Sequence, residues 1–366
     1  MPGFIDGCVL ATFPLLANWV IADFALASLR GSCSRVRFVV DGDAKALAAS
    51  LAGRWKGRPA EIHLLEGGLP GLLRLLASDG AEQVIVGALS SAWLLDAAAP
   101  SALVAAAGGS IAKASLQRTP IELYACRRDR LITVLEAAGT RLAKARRCRE
   151  LLFDGTLTGA IEVIEELPGT LLFHNDPTDL HRRTLALASH APAALPDVSR
   201  MPEPADLPRE ARIAERARVV SSWIAPGAEI EGTVEGSVVF PGASVRRGSR
   251  VLNSVLMNGT IVGSGATIQN TLVLPHGPPD GVPRSGARAA PTIGDRCSIG
   301  SRTSSAVNLA HPEQIRDGLT VIGMGVDLPG GFRAEAGCLV GPGASPADLR
   351  RRKVLRRGLS VPEDAA

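Results

Sequence analysis

Aromatic side chains are scarce in this 366-residue chain: 4% of it, with a single tyrosine. Proteins that hold single-stranded nucleic acid stack bases on aromatic rings, so that class is disfavoured. Charge of one sign is lacking too. The 40 basic and 36 acidic residues leave a net +4, too mild to predict a nucleic-acid partner. No apolar run reaches the roughly 18 residues needed to span a bilayer, so no membrane partner is expected. Met1 to Phe13 lack a basic segment followed by a long apolar one, which predicts no signal peptide. The six cysteines (Cys8, Cys33, Cys126, Cys148, Cys297 and Cys338) have no C-x-x-C spacing. Scattered thiols fit a reducing, cytoplasmic setting better than a disulfide framework or a zinc site. His63, His174, His181 and His190 lack metal-ligand spacing as well, and a surface or structural role is expected for each. No metal site is expected.

What the chain does have is a repeat. Rows starting at Ser222, Ser237, Ser254 and Thr271 read SWIAPGA, SVVFPGA, SVLMNGT and TLVLPHG. The last two steps are 17 residues and the first is 15, so one corner of that coil is short. Within a row, aliphatic residues recur about every six: Val239, Val245 and Val251, then Leu256, Val262 and Ile268. Such a pattern predicts a left-handed parallel β-helix. Each six-residue side of a triangular prism turns one aliphatic residue inward, and stacked coils pair as parallel strands. One coil cannot bury its own apolar face, so stacking is obligatory. Pro226-Gly227, Pro241-Gly242, Asn258-Gly259, Gly248 and Gly265 supply the corners. Val245, Val251 and Val262 should therefore point inward, and Arg246, Arg247 and Arg250 outward.

The hexapeptide region is expected over residues 211–345. Insertions are expected at 275–291, rich in Pro and Gly, and at 304–317. Residues 346–366 read as a basic C-terminal tail, with Arg350, Arg351, Arg352, Lys353, Arg356 and Arg357 on a solvated face. Residues 1–193 read as alternating α/β. Strands are expected over Val36–Val40, Ile62–Leu65, Gln83–Val86 and Glu122–Cys126. Amphipathic helices are expected over Asp43–Trp55, Leu69–Ser78, Asp129–Leu152 and Thr178–Ser189. The alternation predicts a doubly wound, mostly parallel, Rossmann-like sheet. A proline-rich linker, 194–210, marks the domain boundary.

The rows from Ala217 to Val273 resemble the glucose-1-phosphate adenylyltransferase family of bacterial glycogen synthesis, and most of all its GlgD-type, regulatory members. The first half follows the family order more thinly. Pro14 with Asp23-Phe24 is similar to its P-F-G-G-x-Y-R-x-I-D-F segment. Gln83 to Asp96 falls at its V-L-I-L-S-G-D-H strand and loop. Leu123-Tyr124 resembles its G-I-Y strand, and Asn175-Asp176-Pro177-Thr178 falls at its D-V-G-T.

The resemblance implies a nucleotidyltransferase-like domain, and the departures imply that it is degenerate. Nucleotidyl transfer needs a phosphate cradle, cations against developing charge and carboxylates that hold Mg²⁺. The family's G-G-x-G-x-R-L loop has no counterpart. Its phosphate-binding Lys falls at Leu10, its Gly pair at Leu16-Ala17 and its Arg at Val20. Its first metal carboxylate falls among Ala88, Leu89, Ser90 and Ser91. Its second falls at Asn175, with the adjacent Asp176 available as a substitute. The E-K-P motif is missing between Asp96 and Leu123, and Gly68-Leu69-Pro70-Gly71 stand at the sugar loop.

The expectation is a non-catalytic regulatory or assembly subunit without a cofactor. It would pair with a homologous catalytic adenylyltransferase subunit, with itself, or with both. A phosphorylated effector is implied at Arg246, Arg247, Arg250, Arg284 and Arg288. The alternative is a divergent but active sugar-1-phosphate nucleotidyltransferase using Mg²⁺. A hexapeptide acyltransferase would need a histidine on the coils, and His276 and His311 instead lie in the insertions.

Overall fold

The computed structural model describes residues 14–16, 19–29, 32–33, 35–41, 45, 49, 52, 60–88, 91–142, 144–145, 151–153, 157–174, 176–189, 210–276, 292–302 and 304–362. The sequence-expected helix at 43–55 lies mostly outside them, and so does the linker.

In the first domain, strands β1 (Pro14–Leu16), β2 (Trp19–Val20), β3 (Val36–Asp41), β4 (Ala60–Leu65), β5 (Gln83–Gly87), β6 (Ser91–Leu95), β7 (Ile111–Leu116), β8 (Thr119–Arg127), β9 (Val163–Glu166) and β10 (Gly169–His174) alternate with helices. The helices are α1 (Ile21–Leu29), α2 (Gly68–Ala77), α3 (Ala99–Ala107), α4 (Arg128–Ala137), α5 (Gly139–Leu142) and α6 (Pro177–Ser189). The four expected strands are present as β3, β4, β5 and β8. The long helix expected over Asp129–Leu152 is interrupted after Ala137, ahead of Gly139.

The sheet differs from the doubly wound expectation. The order β5-β8-β7-β9 forms one small sheet, while β3-β4 and β6-β10 pair separately. Among the described pairs of this domain, only β3 with β4 and β7 with β9 are parallel. The reason is local. Gln117 and Arg118 both have positive φ, 51° and 61°, which suits the two-residue turn that folds β7 back on β8 as a hairpin. The strand period of two then builds a three-layer domain. Ile121, Leu123 and Ala125 of β8 pack towards Leu103 of α3. Tyr124 and Cys126 pack on the other side with Leu131 and Leu135 of α4 and Leu72 of α2.

The second domain is a parallel β-helix with three faces. Face 1 runs through Arg212–Ile213, Glu229–Ile230, Ser244–Val245 and Ile261–Val262, and single bridges extend it to Ile293 and Leu328. Face 2 stacks seven strands from Arg218–Val220 to Val354–Leu355, and face 3 seven from Trp223–Ile224 to Ser360–Val361. Each face contributes one inward column: Ile230, Val245, Val262, Ile293 and Leu328; Val234, Val251, Ile268, Ile299, Ala334 and Leu355; Val239, Leu256, Val273, Ile322, Val340 and Val361. Val245, Val251 and Val262 are fully buried, as the six-residue period requires. Arg247 and Arg250 are exposed and Arg246 half-buried.

The short coil has a physical explanation. Its inward residues Ile230 and Val234 are four apart, where the next coil places Val245 and Val251 six apart. Gly232 makes the tight corner, and a side chain there would lie 2.6 Å from the carbonyl of Ser249. The row-initial hydroxyls form a ladder. Ser222, Ser237 and Ser254 each accept from the backbone N–H of the next row, at Ser237, Ser254 and Thr271, over 3.0–3.1 Å. Each also donates to the carbonyl two residues before it.

The solenoid continues past Ser345. Helix α7 (Pro346–Arg352), capped by Ser345, inserts the buried Leu349 into the prism core. The strands Val354–Leu355 and Ser360–Val361 then add to faces 2 and 3. The basic residues expected on a tail are exposed on this last turn.

Candidate functional site

Face 3 differs from the other two. Its outward column is apolar up to the last strand, where Ser360 stands: Trp223, Val238, Val255, Leu272, Val321 and Leu339. Faces 1 and 2 carry residues such as Glu229, Ser244, Arg250, Thr267, Ser298 and Arg333 at equivalent positions. Phe240, Met257 and Leu274 extend the apolar strip. Phe24 and Ala27 of α1, Leu94 of β6 and Leu180 of α6 pack against it. The α/β domain and the β-helix therefore share an apolar interface along face 3.

Asp176 lies at the rim. Its Oδ1 accepts from the backbone N–H groups of Thr178, 2.8 Å, and Asp179, 3.0 Å, and so caps α6. Its Oδ2 accepts from a guanidinium nitrogen of Arg316, 2.8 Å, in the 304–317 excursion of the solenoid. Thr178 completes the clamp. Its hydroxyl donates to the carbonyl of Gln314, 2.9 Å, and accepts from the N–H of Arg316, 3.0 Å. One turn further along α6, His181 is buried and its Nε2 lies 3.0 Å from the carbonyl of Asn253 on the β-helix. Burial drives its pKa down to about 4. A neutral ring that donates from Nε2 fits that pairing.

The described residues do not fit Mg²⁺. Both oxygens of Asp176 are committed to an N-cap and an ion pair. Asp96 follows β6 with its N–H on the carbonyl of Pro168, and is exposed. Among the described residues, no three His, Cys, Asp or Glu side chains gather where a metal could be held. Of the other positions singled out in the sequence, Leu10, Ser90, Asn175, Arg284 and Arg288 lie outside the described residues. Val20 ends β2 and Ser91 begins β6. Arg246, Arg247 and Arg250 lie along the corner between faces 1 and 2, opposite the docked face 3.

Sequence reasoning missed the clamp of Thr178, His181 and Arg316. It also missed the docking strip, although a signal was there. Rows on face 3 carry two apolar residues after the hydroxyl (Trp-Ile, Val-Val, Val-Leu, Leu-Val), where most rows of the other faces pair one apolar residue with a polar one.

Three stacked faces of short parallel strands define the chain's second half as a hexapeptide-repeat β-helix, and residues 204–276 match the family described as GlmU-like, C-terminal hexapeptide. Within the coils, the chain is similar to glucose-1-phosphate adenylyltransferases. It is 46% identical over 61 residues to that of Bacillus cereus (strain Q1), covering 17% of this chain and 16% of the relative. Those of Bacillus thuringiensis (strain Al Hakam) and Bacillus mycoides (strain KBAB4) are each 44% identical over 61 residues, with the same coverage. The match thus spans about a sixth of the length of these relatives. No helix among the described residues is long and apolar enough to cross a membrane.

Proposed function

We propose that the chain is a non-catalytic regulatory or assembly subunit related to glucose-1-phosphate adenylyltransferase, working in α-glucan synthesis beside a homologous catalytic subunit. The observation that carries this reading is the engagement of Asp176. The carboxylate best placed by sequence to rebuild a metal site instead ties the α/β domain to the solenoid. Charge stabilisation on the transferring group usually dominates the rate of such reactions. Among the described residues no carboxylates gather to supply it through a metal. The similarity of the coils supports the adenylyltransferase connection. Arg247 and Arg250, exposed at the corner between faces 1 and 2, support an anionic effector there.

The test is an assay of the purified chain with ATP, glucose 1-phosphate and Mg²⁺. No ADP-glucose is expected from the chain alone. Mixing it with a catalytic homologue is expected to change that enzyme's substrate affinity or effector response. Robust turnover by the chain alone, abolished by Asp176→Asn, overturns the reading.

A further inference from the structure

The outward column of face 3 ends its apolar run at Leu339 and closes with a hydroxyl, Ser360. Ser360 is 6% exposed, and its Oγ lies 3.1 Å from Oδ1 of Asn308, in the 304–317 excursion of the solenoid. Asn308 is fully buried and uses both ends of its amide. Nδ2 donates to the carbonyl of Gly337 over 2.9 Å. Oδ1 also accepts from the N–H groups of Ala310, 3.1 Å, and His311, 3.0 Å. One side chain therefore shapes the turn of the excursion and fastens it to two successive coils. Beside it, the N–H of Leu309 donates to the carbonyl of Gly358, 2.8 Å. Gly358 has a φ of +73°, and a side chain there would lie 2.8 Å from the carbonyl of Val307. The last coil and the excursion are fitted to each other along their backbones.

The far side of the excursion holds the α/β domain. The N–H of Asn308 donates to the carbonyl of Ile315, 3.0 Å, which closes the turn on itself. Ile315 is fully buried in the apolar interface along face 3. Its two neighbours, Gln314 and Arg316, make the clamp on Thr178 and Asp176 at the start of α6. A continuous run of bonds joins Ser360 to Asn308, Asn308 to Ile315, and the neighbours of Ile315 to α6. The last coil is the weak end of that run. Its strands Val354–Leu355 and Ser360–Val361 stand last in their sheets and, among the described residues, pair on one side. A terminal repeat lacks a neighbour, and elements with few supporting contacts open first. Like charge works in the same direction. Arg350, Arg351, Arg352, Lys353, Arg356 and Arg357 are all exposed on this coil. Asp348 pairs with Arg351, and Glu335 with Arg356.

We propose that the last coil is a latch on the domain interface. Closed, it holds the excursion in the shape that clamps α6. Frayed, it releases Asn308, and the clamp on Thr178 and Asp176 loosens with it. The C-terminal end of the solenoid then helps to set how firmly the α/β domain docks on face 3, and coupling of this kind runs both ways. The latch stands whether or not the chain transfers an adenylyl group.

Hydrogen exchange of the full chain, read by mass spectrometry, tests the coupling. Ser360→Ala removes one hydroxyl from the outer side of the last strand. It is expected to speed exchange about fivefold, the equivalent of one net hydrogen bond, in peptides covering 308–318 and 177–184. Peptides covering 229–257 should exchange as before. Asn308→Ala should act on the same two segments and more strongly. Asp176→Asn should speed exchange at 177–184, and by a smaller factor when Ser360→Ala is already present, since only joined sites depart from additivity. Faster exchange confined to 308–318 and 354–361, with 177–184 unchanged, overturns the proposal. So does an undiminished effect of Asp176→Asn in the Ser360→Ala chain, or no response to Ser360→Ala in any segment. Faster exchange everywhere, 229–257 included, assigns the effect to global unfolding and overturns it too.

Discussion

Arg316 reaches from a loop of the solenoid to the carboxylate that starts α6, its guanidinium nitrogen 2.8 Å from Asp176 Oδ2. The pair joins residues 140 apart in sequence. Asp176 has two jobs that substitution separates. Asp176→Asn keeps a good cap and loses the charge, so it is expected to cost under about 1 kcal/mol, the scale of a partly exposed ion pair. Asp176→Ala loses both and is expected to cost about 1–2 kcal/mol. Urea midpoints of the two variants, alone and with Arg316→Ala, check the separation. A cost for Asp176→Asn as large as that of Asp176→Ala would mean that the charge, not the cap, dominates.

His181 makes stability depend on pH. Its pKa in the folded chain is about 4, against an ordinary 6.5. A base whose pKa is depressed by folding is neutral in the native state, and the unfolded chain takes up the proton first. The contribution is therefore complete above pH 6.5 and is lost as pH falls from 6.5 towards 4. The full loss is on the order of 3 kcal/mol. His181→Gln, which keeps a donor for the carbonyl of Asn253, should flatten this part of the profile. Denaturation of both chains at pH 7.5 and 5 measures the difference, and parallel profiles would remove His181 as the cause.

Val251 sits at the centre of the prism, fully buried, between Val234 and Ile268. Val251→Asp places an unpaired charge there and should cost several kcal/mol. Hexapeptide coils are stabilised by their neighbours, so the transition should broaden or the β-helix melt first. A variant with an unchanged midpoint would contradict the register.

Phe240 tests the docking strip. It is fully buried between the domains and meets Trp223 edge-on, ring centroids 6.0 Å apart. Phe240→Ala should cost about 3–5 kcal/mol and expose the outward column of face 3. Limited proteolysis near 194–210 should quicken as the domains separate. An equal proteolysis rate would show that the strip does not hold them together.

The inward columns were legible because a six-residue period leaves little freedom: Val239, Val245 and Val251 can share a core only on a three-sided coil. The pairing of the α/β domain was not legible. The antiparallel run of β8 against both β5 and β7 depends on a hairpin at Gln117-Arg118, residues that carry no strong turn signature. Strands such as Ile111–Leu116, with Ala, Lys and Ser inside, are also weakly apolar as a string. The site was legible in part. Asp176 stood out, but its partner Arg316 lies in an excursion from the repeat, where spacing says nothing about contact. The solenoid's end was misplaced at Ser345 because α7 interrupts the period before two further strands resume it.

The ladder of Ser222, Ser237, Ser254 and Thr271 makes each row begin at the same rung. A cut that removes one whole row, Ser237 to Asn253, would join Gly236 to Ser254 and leave every remaining hydroxyl above its neighbour. A cut one residue longer or shorter would turn each later side chain to the wrong wall unless a corner absorbed it, as Gly232 does in the short coil. Length in this half of the molecule can therefore change in whole rungs, like a ladder shortened between steps, and evolution can adjust the reach of the C-terminal end without redesigning a core.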